Sequence, residues 1–425
     1  MRIKSISLLL IGILFTISCD TNNSDNNEQT IADNERLFSI LQNWYLWNNE
    51  IDSGIDPSTF DSPQDLLDQI RYSPLDRWSS ISNAYDFTTY YDEGTYLGYG
   101  FSYNWDDENN IKFRFTYDES PFGEAGIQRG WKLLEIDGIA VQSITDWTSV
   151  FGEDVLGYTQ SFLIEDLEGN QTEYQISKAI VTINPVLYSD TLSIGNETIG
   201  YLVFNNFINP AREQLDEAFL LFQNANIDRL ILDMRYNGGG QISVASYLAN
   251  YLIQEDDNGK SLYKFVHNND RASSNQSHSL FKQGILDIDE LIILSTGGTA
   301  SASELILNGM KPFMKVTHIG EGNTYGKPVG TYSWFSIDES EVYSLISFRF
   351  LNNNDEGDFF DGIEPDFIAC DDLGKTFGDM DESLLASAIE YIQTGQTAGC
   401  DVLTKRSFRP ELPQEGQAPR LIVNQ

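Results

Sequence analysis

Leu291-Ile292-Ile293-Leu294 runs into Ser295-Thr296-Gly297-Gly298-Thr299-Ala300 and then into Ser301-Ala302-Ser303-Glu304-Leu305-Ile306. The four apolar residues suit a strand buried on both faces, the glycines suit a tight turn, and the residues from Ser301 onward suit the start of a helix. An earlier stretch repeats the plan. Leu230-Ile231-Leu232-Asp233-Met234 reads as a buried strand, Arg235-Tyr236-Asn237-Gly238-Gly239-Gly240 as a turn, and 243–253 as a helix. Before it, Gly200 to Phe204 reads as a strand and Ala211 to Gln223 as an amphipathic helix through Leu215, Phe219 and Phe222. Strand and helix in alternation predict an α/β organisation, and two glycine-rich turns at strand C-termini place a candidate site there.

Upstream the pattern changes. Leu37, Leu41, Trp44 and Trp47 recur at spacings of three and four, which gives a helix with one apolar face. A second helix is expected after Pro63, through Leu66, Leu67 and Ile70, with Ser62 as its cap. From Tyr96 to Ile183, short β-rich runs at 112–117, 161–165 and 174–176 are separated by Gly and Asp-Gly turns, as in a compact β-rich unit. Within it, Ser120-Pro121-Phe122-Gly123-Glu124-Ala125-Gly126-Ile127 and then Gly130-Trp131-Lys132-Leu133-Leu134-Glu135-Ile136-Asp137-Gly138 resemble the PDZ domains of bacterial proteases. Ala125-Gly126 is expected to end a short helix and Asp137-Gly138 to turn a hairpin. The resemblance puts Leu97-Gly98-Tyr99-Gly100-Phe101 at the carboxylate-binding loop, whose backbone N–H groups capture a peptide C-terminus.

Arg2 and Lys4 precede an apolar run from Ile6 to Ile17, too short to span a bilayer but suited to a signal peptide. It ends in Thr16-Ile17-Ser18-Cys19, which resembles the lipobox of bacterial lipoproteins with Thr16 where Leu is usual. Cys19 is therefore expected to be lipidated and to anchor the chain in the bacterial cell envelope, on the periplasmic or outer-membrane side. Residues 20–33, polar and acidic, read as a flexible tether. Export implies an oxidising compartment, where Cys370 and Cys400 could pair across a loop of about 30 residues and stabilise the fold by roughly 3 to 4 kcal/mol.

Lys and Arg number 26 against 64 Asp and Glu, a net charge of −38 that repels phosphate backbones, so nucleic acid is not expected as a partner. The histidines His267, His278 and His318 form no His-Glu-x-x-His, and no paired cysteine spacing appears, so a zinc-peptidase site has almost no ligands to use. His318 sits in the strand-like run Val316 to Ile319 and reads as structural.

Thr299 to Ile306, Tyr325-Gly326-Lys327, Ile199-Gly200-Tyr201, the Arg235 to Gly240 turn and Gly362-Ile363-Glu364-Pro365-Asp366 together resemble the C-terminal-processing, or tail-specific, serine peptidases. Tyr45-Leu46-Trp47 and Asp76-Arg77-Trp78-Ser79 look like the lipoprotein branch of that family. The resemblance implies a ClpP/crotonase-like α/β catalytic core over 184–396. Before it come a PDZ-like domain (91–183), a helical domain (34–90), the tether and the signal peptide (1–19), and after it a tail (397–425) with no assigned role. It also implies Ser301 as nucleophile, Lys327 as base, polypeptide substrates and no cofactor. A serine hydroxyl is a poor nucleophile near neutral pH, and a lysine serves as its base only if burial keeps the amine uncharged. Moving a lysine from about 10.4 to near 7 takes roughly 4 to 5 kcal/mol of differential desolvation. Ser303 is the competing nucleophile, although a helix-start serine is more often a cap.

For the oxyanion, the Ala302 N–H lies beside the nucleophile, and Gly239, with Gly240 as runner-up, is the second donor the resemblance implies. Arg235 and Asn237 are expected to hold that turn in place. Glu304 is expected to be a helix N-terminal carboxylate. One position departs from the family pattern: Thr331 stands four residues after Lys327, where a Gln usually orients the lysine. Thr331 supplies that oxygen, another residue does, or the lysine is poorly aligned. The reading is an exported serine endopeptidase that recognises C-terminal or unfolded segments; the alternative is a catalytically impaired peptide- or ligand-binding lipoprotein of the same fold.

Overall fold

The two apolar runs become adjacent parallel strands, Arg229–Asp233 and Glu290–Ser295, with Leu230 opposite Leu291 and Asp233 opposite Leu294. The computed structural model describes residues 21–106, 110–145, 147–400 and 421–423, so Cys19 and the signal-like stretch lie outside the described residues. Successive side chains of a strand point to opposite faces. Leu230, Leu232, Leu291 and Ile293 pack with the helices Ala211–Ala225, Ile242–Leu252 and Ala302–Met310. Ile231, Ile292 and Leu294 pack in a separate core with the helix Ser383–Thr394. Helices on both faces explain why these strands show no polar alternation. The sheet has six strands: Val186–Ile194, Glu197–Phe204, the two just named, Lys315–Gly320 and Phe367–Ile368. Its first pair is antiparallel and the other pairings are parallel.

A second sheet is built on the long strand Glu341–Asn352, which pairs antiparallel with Val329–Phe335, Ser261–His267 and Ser80–Asn83. Val329–Phe335 also pairs, in parallel, with Leu421–Val423, and that short strand pairs in turn with Gly240–Gln241. The glycine turn and the strand leaving Lys327 therefore flank a slot one strand wide, filled by the chain's own residues 421–423.

The helices Thr21–Trp44 and Pro63–Ile70 form as the apolar spacing predicts, and the Ser62 Oγ caps the second by accepting from the Asp65 N–H at 3.1 Å. Leu37, Leu41, Leu66, Leu67 and Ile70 share one core with Val329, Leu345 and Ile346, so these helices pack on the second sheet. Two expectations change here. The first helix takes in most of the stretch read as a tether, and Asp33 is buried because its carboxylate accepts from the Ile337 N–H at 2.9 Å. Ser80–Asn83, inside the segment read as helical, is a strand because it pairs with Glu341–Asn352.

The β-rich unit is an antiparallel sheet of Phe101–Trp105, Ile111–Thr116, Lys132–Ile136, Thr159–Glu165 and Gln171–Ser177, with Phe101, Phe113, Phe122 and Phe162 at its core. Asp137 (φ 50°) and Gly138 (φ 75°) both take the left-handed conformation that a tight hairpin turn needs. The helix Pro121–Glu124 is capped by Ser120, which accepts from the Gly123 N–H at 3.1 Å, and Gly126 (φ 77°) follows its end. Leu97 and Gly98 lie in the strand Thr95–Gly98, paired with Ala179–Thr182. Tyr99 and Gly100 then lead into Phe101–Trp105, the outermost strand of the sheet. A disulfide joins Cys370 to Cys400, with the Cα atoms 5.9 Å apart.

Candidate active site

Ser301 stands at the start of the helix Ala302–Met310 with φ 62° and ψ −111°, a conformation that costs an L residue energy and persists only where the surroundings impose it. Those surroundings are the two glycine-rich turns, laced to each other. The Thr299 hydroxyl donates to the Met234 carbonyl at 2.8 Å, the Ala300 N–H to the Asn237 carbonyl at 3.0 Å, and the Thr296 hydroxyl to the Arg235 carbonyl. The Ser303 hydroxyl also donates to the Asn237 carbonyl, at 3.0 Å. Ser303 is thus occupied in holding the turns together. The Ser301 Oγ is buried and has no hydrogen-bond partner among the described residues. An unpaired buried hydroxyl costs about 1 to 3 kcal/mol, and together with the strained backbone it makes Ser301 the candidate nucleophile.

Lys327 reaches the same place from another loop. The Tyr325 N–H donates to the Thr299 carbonyl at 2.9 Å, and Gly326 (φ 90°) passes so close to the backbone that a Cβ there would sit 2.4 Å from the Phe360 oxygen. Arg77, from the N-terminal unit, lies over the Tyr325 ring at 5.3 Å and donates to the Phe360 carbonyl at 3.3 Å. Lys327 itself is buried, and so is Thr331 on the strand that follows.

Glu304 joins the two halves, a role that sequence reading missed. Its Oε2 accepts from the Ser301 N–H at 2.7 Å and the Lys327 N–H at 2.9 Å; its Oε1 accepts from the Gly326 N–H at 2.7 Å and the Thr324 hydroxyl at 2.6 Å. Burial pushes this carboxyl above its ordinary range while the four donors pull it back. Every partner is a donor to Glu304, an arrangement that suits the carboxylate form.

Gly239 (φ 101°) lies against the nucleophile, and a Cβ there would be 2.7 Å from the Ser301 Cβ and 2.9 Å from the Ala302 nitrogen. Its N–H, expected to face the oxyanion, instead donates to the Asn237 Oδ1 at 2.9 Å, because the Asn237 side chain folds back over the turn while its Nδ2 donates to the Phe204 carbonyl at 2.9 Å. Gly240 (φ 136°) is equally confined, since a Cβ would meet the Phe207 carbonyl oxygen at 2.2 Å. Arg235 is fully buried and paired with Asp233, Asp371 and Glu382. Arg129 of the β-rich unit pairs with the same Asp371 at 2.7 Å. Against the effect of burial, these two guanidinium groups hold the Asp371 carboxyl well below the usual carboxylate range.

His318 is buried on Lys315–Gly320, with Nε2 2.6 Å from the Ser295 Oγ and Nδ1 3.2 Å from the Glu364 carbonyl. Burial pushes its imidazole down to about 4, so it is neutral at physiological pH. Among the described residues, no group of acidic, histidine or cysteine side chains could hold a metal ion, and no helix is long and apolar enough to cross a membrane.

This layout is a mixed α/β fold consistent with a ClpP-like core, with a strained serine at a helix start. The chain belongs to peptidase family S41: residues 198–369 match that family and residues 32–80 match the peptidase S41 N-terminal domain. It is 25% identical over 238 residues to a carboxyl-terminal-processing protease of Synechocystis sp., an alignment covering 55% of this chain and 53% of that one. The chain spans about half the length of the curated relatives it matches. Its fold resembles the crystal structure of the "Putative S41 protease" from Bacteroides fragilis NCTC 9343, with a TM-score of 0.70, 24% identity and coverage of 84% of this chain and 97% of that one. It also resembles the photosystem II D1 C-terminal processing protease, with a TM-score of 0.52, 18% identity and coverage of 79% and 92%.

Proposed function

We propose that the protein is an exported, lipid-anchored serine endopeptidase that cuts extended polypeptide segments with Ser301 as nucleophile and Lys327 as base. The observation that carries this reading is the unpartnered Ser301 hydroxyl on a strained backbone, with its own N–H and that of Lys327 bound to one carboxylate oxygen. The Ser301 proton passes to the uncharged Lys327 amine as the Oγ attacks the carbonyl carbon. The lysine then protonates the departing amine, leaving an acyl-enzyme on Ser301 that water hydrolyses. The Ala302 N–H faces the developing oxyanion; the glycine turn adds a second donor once the Gly239 N–H leaves Asn237. Substrate binds as a strand between Gly240–Gln241 and Val329–Phe335, a reading supported by the pairing of residues 421–423 with both. The β-rich unit, acting as a PDZ-like module, presents the C-terminal segment through Leu97 to Phe101, and Cys19 carries the lipid.

A binding protein without turnover is the second reading. It is favoured by the Gly239 N–H being held by Asn237 and by Thr331 standing where a Gln is usual. The two separate in one assay: an unfolded polypeptide is cut by the wild-type chain and left whole by Ser301→Ala and Lys327→Ala, with a fluorophosphonate adduct on Ser301. Tight binding of that polypeptide with no turnover and no adduct establishes the second reading instead.

A further inference from the structure

Ser301 and Lys327 are separated by the helix Ala302–Met310, the strand Lys315–Gly320 and a loop, so no local geometry sets their relation. The two turns meet through the Tyr325 N–H on the Thr299 carbonyl and through the Glu304 side chain. We propose that Glu304 is a positioning residue: its carboxylate sets the nucleophile turn against the lysine turn and so controls the catalytic rate without touching substrate. This rests on the Ser301–Lys327 reading above.

An acidic residue in a helix's first turn ordinarily serves that helix alone, through the dipole or by accepting an orphan N–H. Glu304 does more. Thr324, Gly326 and Lys327, three of its four donors, come from the remote loop, and the fourth is the strained Ser301 itself. Its Oε2 holds the Ser301 and Lys327 nitrogens on one atom, so a shift of either backbone pulls on the other. The fourth bond is the N-cap half of a capping box, and it ties the N–H of the strained Ser301 to the same oxygen that holds Lys327. Without the carboxylate, three buried N–H groups lose their acceptor. Each costs about 1 to 3 kcal/mol, comparable to the strain that an ordinary φ at Ser301 would release. Relaxation swings the Oγ away from the lysine, and misplacement of about 1 Å costs on the order of 100-fold in rate.

The substitutions grade the effect. In Glu304→Gln the amide nitrogen can face the Thr324 hydroxyl, which can turn to accept, and the remaining oxygen can keep Ser301 and Lys327; the Gly326 bond is lost. Its kcat is expected to fall about 10-fold, that of Glu304→Ala at least about 100-fold, and that of Thr324→Val no more than about 3-fold, with KM within about 3-fold throughout. The rate of fluorophosphonate labelling at Ser301 is expected to fall in the same order. Assays run well below each variant's melting temperature separate position from stability, and Glu304→Gln decides the matter if Glu304→Ala does not fold. The proposal is overturned if folded Glu304→Gln keeps the wild-type kcat and labelling rate, or if its loss lies in KM alone. A wild-type chain that neither turns over nor labels sinks the peptidase reading instead, which is a different result.

Discussion

Two serines stand at the C-terminal end of one sheet, Ser295 paired with His318 and Ser301 proposed to act with Lys327, and they differ in what surrounds the hydroxyl. Ser295 closes the strand Glu290–Ser295 in regular pairing, with its Oγ 2.6 Å from His318 Nε2 and a backbone carbonyl on the other ring nitrogen. A Cβ on Gly320 would lie 2.6 Å from that Oγ, so main chain packs directly against the hydroxyl and leaves no room for a substrate carbonyl. Ser301 has left regular structure, is buried with its Oγ lacking a hydrogen-bond partner among the described residues, and sits beside a helix N-terminus and a glycine turn. By residue type, the serine–histidine pair is the more familiar nucleophile and base. By geometry it is a sealed structural contact. A hydroxyl kept unpaired and a backbone held under strain both cost stability, as expected of a nucleophile rather than of a structural contact.

The largest expected effect lies at Ser301. Ser301→Gly should lose at least about 1000-fold in kcat and yet melt higher than wild type, because glycine accepts the positive φ that costs serine on the order of 1 kcal/mol. A fall in melting temperature would mean that no strain is stored there. Gly239→Ala comes next: the new methyl would press on the Ser301 Cβ at a φ of 101°, and a drop in kcat of about 100-fold with little change in KM is expected from steady-state kinetics.

The other pair should respond through stability and pH. The folded His318 titrates near 4 against an ordinary 6.5, so between those values the unfolded chain binds the extra proton. The contribution is whole above pH 6.5 and is lost progressively as the pH falls to about 4, amounting to about 3 kcal/mol. In denaturant titrations across that window, His318→Gln should show a flatter pH dependence, with catalytic activity at neutral pH within about 3-fold of wild type. Loss of activity as deep as that of Lys327→Ala would make the histidine the base and erase the contrast. Smallest of all, Ser295→Ala should leave kcat within about 2-fold and cost about 1 to 2 kcal/mol, the penalty of a buried imidazole nitrogen left without its partner.

Much of the fold was legible because its signals are local. Leu230 to Met234 and Leu291 to Leu294 are apolar throughout because helices cover both faces, and Asp137-Gly138 turns a hairpin because the two residues accept left-handed backbone. The serine at the helix start was legible for the same reason. Its relation to the rest of the site was not. A glutamate three residues after Ser301 signals a helix start, and nothing local says that it also binds a loop more than twenty residues away. The Gly239 N–H was read as available because a glycine-rich turn exposes its backbone, yet the nearby Asn237 side chain takes it. Residues 20–33 were read as a tether from their polarity, although Asp33 finds its partner at Ile337.

The amino-acid order alone determined the alternation of strand and helix, the positions that only glycine can fill, and which side chains were available for chemistry. These follow from backbone sterics and from the period at which apolar residues return to one face. The folded chain decided which serine hydroxyl is left without a partner, which amides share a carboxylate, and that main chain packs against the Ser295–His318 pair. Such choices depend on what distant segments bring to the same few ångströms, and a hydrogen bond is made or lost over distances far smaller than any sequence pattern specifies.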